Sequence, residues 1–125
     1  VDTYINDQKN QVDRNRIYVM GLSMGGYGTW DAIQRKPNFF AAAVPICGGG
    51  DVSLAHKLTK IPIWAWHGDQ DKVIKPSRSR EMINAIEKAG GTPKYSEIKD
   101  RGHNSWLDCW NSDKLWNWLY SISKK

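Results

Sequence analysis

Apolar and polar positions along the chain switch repeatedly between a two-residue and a 3.6-residue period, which predicts strands and helices in alternation. "RIYVMGL" (16–22) is a β-branched and aromatic run ending in glycine, so a strand is expected there. A helix is expected from about Gly25 to Lys36, stopped by Pro37. In it Gly25, Gly28, Thr29 and Ala32 make a stripe of small residues that can lie close on a sheet. "AAAVPIC" (41–47) reads as a second strand, and "GGG" (48–50) as a turn after it. "IPIWAW" (61–66) is almost wholly apolar, the pattern of a strand buried on both faces. A helix over 77–89 turns Met82, Ala85, Ile86 and Ala89 to one side and stops at Gly90 and Gly91. "PKYSEIK" (93–99) gives a fourth strand, and Ser112 can cap a last helix carrying Leu115, Trp118, Leu119 and Ile122. The alternation predicts an α/β fold: a mainly parallel sheet of about four strands in a three-layer sandwich, in one domain over residues 1–125.

Composition narrows the function more than the fold. Apolar and charged fractions of 40% and 25% are those of an ordinary globular chain. The net charge is +5, but the basic residues are scattered, so nothing resembles a nucleic-acid patch. No apolar stretch approaches the roughly 18 residues of a membrane span. Seven tryptophans suit core and cleft packing. Cys47 and Cys109 read as two free thiols or one disulfide, and the compartment, cytoplasmic or secreted, stays open. The chain starts without Met, and "VDTYINDQKNQVD" reads like the tail of a helix already under way, so a fragment or a processed chain is expected.

One stretch carries chemistry. Gly21-Leu22-Ser23-Met24-Gly25 matches G-x-S-x-G between an expected strand and an expected helix. A serine in such a turn has strained backbone angles, and glycines at 21 and 25 leave room for it. Gly26 and Gly28 would let the helix start tight against the sheet. The Ser23 hydroxyl is then pushed out at the sheet edge, and the Met24 N–H points towards any oxyanion formed there. A serine needs a base, and the base needs a carboxylate to fix its tautomer. In this strand–turn–helix class the chain order is Ser, acid, His. "HGDQDKVI" after the third strand offers Asp69 and Asp71, and "KDRGHNSW" after the fourth offers His103. All three loops leave the same edge of a parallel sheet.

The competing readings are plainer. His56 suits a surface or packing role, and His67, at a strand end, suits ordering of its loop by hydrogen bonds. A His67/Asp69 metal site lacks further ligands at sensible spacing. Asp100 and Asp108 lie on the histidine's own loop, the wrong one for the acid. "GGG" lacks the lysine and hydroxyl residue of a phosphate-binding loop. No cofactor and no metal is called for.

"RIYVMGLSMGGYGTWDAI", "AAAVPICGGGD", "IPIWAWHGDQDKVI" and "RGHNSW" together resemble the C-terminal half of an α/β-hydrolase. The nearest group is the esterases related to feruloyl esterases, polyhydroxybutyrate depolymerases and phospholipase/carboxylesterases, some of them labelled predicted peptidases. The resemblance implies Ser23 as nucleophile, His103 as general base and Asp71 as acid, the last by the pattern H-G-x-x-D-x-x-[VI]. It implies a short-chain or aryl ester as substrate. Tyr27, Trp30 and Trp106 are pocket candidates, although core packing suits each of them at least as well. Members of the family carry further strands before the nucleophile strand. Without them, strand 16–22 becomes a sheet edge with apolar faces, so a homodimer contact or a missing N-terminal segment is expected to cover it. The loop that supplies a second oxyanion-hole N–H is also lacking, which leaves Met24. Two rivals remain: a serine peptidase of prolyl-oligopeptidase type, and a hydrolase-derived module that binds without catalysis.

Overall fold

Four strands pair in chain order, all parallel, in the computed structural model, which describes residues 11–125. They are β1 (Tyr18–Leu22), β2 (Ala42–Ile46), β3 (Trp64–Gly68) and β4 (Lys94–Ile98). Helix α1 (Met24–Arg35), a 3₁₀ segment (Val52–Leu58) and α2 (Ser77–Lys88) connect them, and α3 (Trp106–Trp110) and α4 (Asp113–Tyr120) follow. The helix tail expected over residues 1–13 falls mainly on residues 1–10, outside the described residues, and 11–13 have no regular structure.

Strand order that advances in one direction, with right-handed crossovers, puts α1, the 3₁₀ segment and α2 on one face. There Trp30, Ile33, Leu58, Met82, Ile83 and Ile86 pack on Ala43, Ile63 and Ala65. The other face belongs to α4, whose Leu115 and Leu119 pack with Val44, Ile46, Trp64 and Trp66. β2 and β3 are therefore buried on both sides, as their apolar runs require. The expected three-layer α/β sandwich is present. Ser112 caps α4, its hydroxyl accepting the Leu115 N–H at 3.2 Å.

Three local expectations are corrected. The third strand begins at Trp64, not Ile61, and runs on through His67 and Gly68, which align with Glu97 and Ile98. Pro62 has no N–H to offer a ladder, and this lead-in is tied to the sheet by the Ala43–Ile63 bridge and by the Lys94 N–H, which donates to the Ile63 carbonyl at 2.8 Å. On α2 the buried residues are Ser79, Met82, Ile83 and Ile86, while Ala89 is exposed. On α1 Thr29 faces the sheet as expected, but its buried neighbours are Gly26, Trp30 and Ile33 rather than Gly25, Gly28 and Ala32. Burying Trp30 and Ile33 is worth roughly 2–3 kcal/mol each, and that decides how the helix rolls.

The close approach consequently falls on Gly26. A Cβ there would collide with the Ile46 carbonyl and lie 3.1 Å from Gly48, whereas one at Gly25 or Gly28 would meet nothing within 4 Å. Gly26→Ala is expected to destabilise the protein by on the order of 1–3 kcal/mol. Gly28→Ala, on the exposed side of the helix, should stabilise it by about 0.5–1 kcal/mol. Urea unfolding midpoints of the two variants check this, and the opposite order would contradict the assigned face.

Candidate active site

The serine is set by the turn between β1 and α1. Ser23 has φ 55° and ψ −116°, a positive φ unusual for a residue with a side chain. Such strain costs on the order of 1–3 kcal/mol and persists because the surroundings over-determine it. The Ser23 N–H is held by the Ile46 carbonyl at 3.0 Å and the Cys47 sulfur at 3.3 Å. Its carbonyl accepts from Gly26 and Tyr27 N–H, starting the helix. Gly21 earns its place, since a Cβ there would strike the Gly25 carbonyl, but Gly25 itself faces open space. The hydroxyl makes no cap bond and turns instead to His103.

Asp71 follows β3 and is 4% exposed. One carboxylate oxygen accepts the backbone N–H groups of Val73 and Ile74, each at 2.9 Å. The other oxygen lies 2.8 Å from His103 Nδ1. Burial alone would push this carboxyl up, but hydrogen bonds from His103, Ile74 and Val73 and the nearby imidazole outweigh it and hold the group below the usual carboxylate range.

His103 sits on the loop between β4 and α3, which is drawn over the end of β3. Gln70 N–H donates to the Arg101 carbonyl at 2.9 Å, and Asp100 N–H donates to the Asp69 carboxylate at 2.8 Å. Asp69 thus ties the two loops together and lies apart from His103. A Cβ at Gly68 would collide with the Arg101 and Gly102 carbonyls, so glycine is what permits the overlap. Asp108 pairs with Arg101 through two hydrogen bonds, at 2.7 and 3.2 Å, anchoring the loop to α3.

The ring of His103 spans the gap, with Nδ1 at 2.8 Å from Asp71 and Nε2 at 2.9 Å from the Ser23 hydroxyl. A carboxylate only accepts, so Nδ1 carries the proton and Nε2 is left to accept from the serine. This arrangement can take a proton from Ser23 while the carboxylate balances the resulting imidazolium.

The remaining expected residues divide. Met24 is 85% exposed, and its N–H, first in α1, has no intrahelical acceptor. Trp106 stands edge-on to His103 with ring centroids 5.7 Å apart. Tyr27 instead lines a neighbouring cleft of about 540 Å³ with Gly49, Gly50, Arg78 and Glu81. Trp30 is fully buried in the core, which corrects its candidacy for the pocket. His56 is exposed on the 3₁₀ segment.

His67 is fully buried and orders the acid loop, as expected. Its Nε2 is 2.7 Å from the Ile74 carbonyl, so it must donate there, and Nδ1 accepts from the Ser79 hydroxyl at 2.7 Å. Sequence reasoning missed Ser79 and Cys47. Nothing in the sequence marks Ser79, but Cys47 ends a strand at the same sheet edge as the three loops, which was a usable signal. Both cysteines are free and buried, and burial pushes the Cys47 thiol up from its ordinary value.

The profile of the prolyl oligopeptidase family matches residues 1–66, which hold β1, Ser23, α1 and β2. The chain belongs to that family. Asp71 and His103 lie beyond the matched stretch. A solved thermostable esterase superposes with a TM-score of 0.91 at 39% identity, covering 98% of this chain and 35% of that one, which bears out the α/β-hydrolase fold. A bifunctional acetylxylan esterase/xylanase from Neocallimastix patriciarum is 36% identical over 89 residues, 70% of this chain and 13% of that protein. A poly(3-hydroxyalkanoate) depolymerase from Paucimonas lemoignei is 24% identical over 121 residues, covering 73% of this chain and 29% of it. The chain thus spans about a third or less of each of these proteins. The family is named for a peptidase, while the relatives compared are named for an esterase and a depolymerase.

The acid loop yields a pH prediction. Burial depresses the His67 imidazole below its ordinary value, against the raising effects of the Ile74 carbonyl and Asp71. The unfolded chain then binds more protons than the folded one, so this stability is present above the ordinary imidazole range and is lost as pH falls through it. His67→Gln should be less stable than wild type at about pH 7.5 but flatter between about pH 7.5 and 5.5. Urea midpoints with equal pH slopes would contradict this.

Proposed function

We propose that this chain carries the catalytic half of a serine hydrolase that cleaves short-chain or aryl carboxylic esters through an acyl-enzyme on Ser23. His103 is the general base and acid, and Asp71 holds its ring and offsets its charge. The observation that carries the reading is one imidazole bridging the Ser23 hydroxyl and the Asp71 carboxylate at 2.9 and 2.8 Å. As the hydroxyl attacks the ester carbonyl, its proton passes to Nε2. The Met24 N–H then stabilises the oxyanion, and the alcohol leaves with that proton. Water repeats the sequence to release the acid. One such donor is worth on the order of 10²–10³ in rate, so a second N–H from outside residues 11–125 would raise turnover further.

Ester rather than amide cleavage is favoured by the names of the relatives, whereas the family name favours the peptidase reading. Hydrogen-bonded triad geometry speaks against a module that only binds. We read the open edge of β1 as covered in the working protein, by a second copy or by further chain. Supporting this, β1 pairs only with β2 among the described residues, and Ile17, Val19, Phe39 and Phe40 line an apolar hollow of about 520 Å³ beside it.

The test compares a short-chain nitrophenyl ester with the matching nitroanilide. Turnover of the ester is expected, with the anilide much slower, and Ser23→Ala should lower ester turnover by at least about 10⁴-fold with the fold intact. Anilide turnover equal to or above that of the ester would favour the peptidase. Unchanged turnover in Ser23→Ala would end the proposal.

A further inference from the structure

Cys47 directly follows β2 at the edge of the sheet that carries Ser23, Asp71 and His103. Its φ of 42° is the left-handed conformation that side-chain-bearing residues seldom adopt. That turn swings the sulfur back under the nucleophile, where it accepts the Ser23 N–H at 3.3 Å. The Cys47 sulfur, an Asp71 carboxylate oxygen and a His103 ring nitrogen all lie within 4.8 Å of one another. Ser105, fully buried, turns a hydroxyl with no hydrogen-bond partner of good geometry towards the same sulfur. The hydrolytic cycle uses Asp71 and His103 but gives this thiol nothing to do.

Thiolate, imidazole and carboxylate form a donor set suited to Zn²⁺ and to softer cations such as Cd²⁺, not to Mg²⁺ or Ca²⁺. Tetrahedral bonds of about 2.0–2.3 Å put ligand atoms roughly 3.3–3.7 Å apart, so the wider separations in this cluster must shorten by about an ångström while the Asp71–Nδ1 pair, 2.8 Å apart, opens slightly. We propose that Cys47, Asp71 and His103 form a latent site for one thiophilic divalent cation, and that its binding switches the hydrolase off. The inhibitory consequence rests on the reading of Ser23, Asp71 and His103 as the catalytic residues. The cation forms bonds to sulfur, oxygen and nitrogen and displaces the thiol proton to solvent. Where Nδ1 is the nitrogen bound, its proton moves to Nε2 so that the imidazole stays neutral; the carboxylate is already ionised, and no electrons are transferred. With a ring nitrogen and Asp71 committed to the metal, His103 is no longer poised between Asp71 and Ser23.

The test titrates CdCl₂ and ZnCl₂ into the purified protein against a chromophoric chelator, with MgCl₂ as comparison. Ultraviolet absorbance and nitrophenyl-ester turnover are followed in parallel. Wild type should bind one Cd²⁺ at micromolar or lower concentration with a sulfur-to-cadmium charge-transfer band. It should lose turnover in step with binding, recover it with EDTA and ignore Mg²⁺. Cys47→Ala should lose the band and bind at least about tenfold more weakly. His103→Ala, at a half-buried loop position outside the core, should weaken binding similarly, and Ser23→Ala should bind as wild type does. Cadmium binding that is absent, or unchanged in both Cys47→Ala and His103→Ala, would overturn the proposal even if ester turnover is normal. Binding with the charge-transfer band in a protein that hydrolyses no ester would keep the cation site and overturn the hydrolase reading instead.

Discussion

Loops from three strands can meet over one end of a parallel sheet only if backbones there approach to van der Waals contact, and in this chain glycine permits each approach. Gly26 lets α1 rest on the Ile46 carbonyl, so the serine turn is pinned against the end of β2. Gly68 lets the Arg101–Gly102 backbone cross the end of β3, which brings the histidine loop over the acid loop. The 2.9 and 2.8 Å contacts of His103 are set by these two crossings, because the ring has little freedom once both loops are fixed. A side chain at either position would shift a backbone by more than a hydrogen bond tolerates.

Electrostatics then does what sterics allows. Asp71 is buried beside two imidazoles and survives as an anion because two backbone N–H groups and His103 satisfy its oxygens. His67, 3.3 Å from the same carboxylate, is kept neutral by burial and spends both ring nitrogens on Ile74 and Ser79. Two histidines beside one carboxylate thus differ in what their second nitrogen meets. One ends on loop structure, the other on the hydroxyl of Ser23.

Much of this was legible in the sequence, because its strongest signals are steric. The strand–Gly-x-Ser-x-Gly–helix order located Ser23, and strand ends followed by "GDQD" and "RGH" located the partner loops. What could not be read was rotation about an axis. The small-residue pattern puts the stripe on α1 one position out of phase, since Trp30 and Ile33 decide which side of the helix is buried, and the same roll removes Trp30 from the pocket. Which of Asp69 and Asp71 faces His103 was equally invisible to spacing and came only from resemblance. Sequence alone leaves Cys47 a free thiol or a disulfide partner, and its positive φ, which turns the sulfur to Ser23, is a tertiary effect.

The central claim, that the three residues act as one unit on Ser23, is tested most directly by a fluorophosphonate probe, which reacts with an activated serine. The labelled residue is located by peptide mass spectrometry of the folded protein. The account predicts a single adduct on Ser23 that disappears in His103→Ala. An adduct on another serine, or no reaction at all in the folded protein, would contradict it.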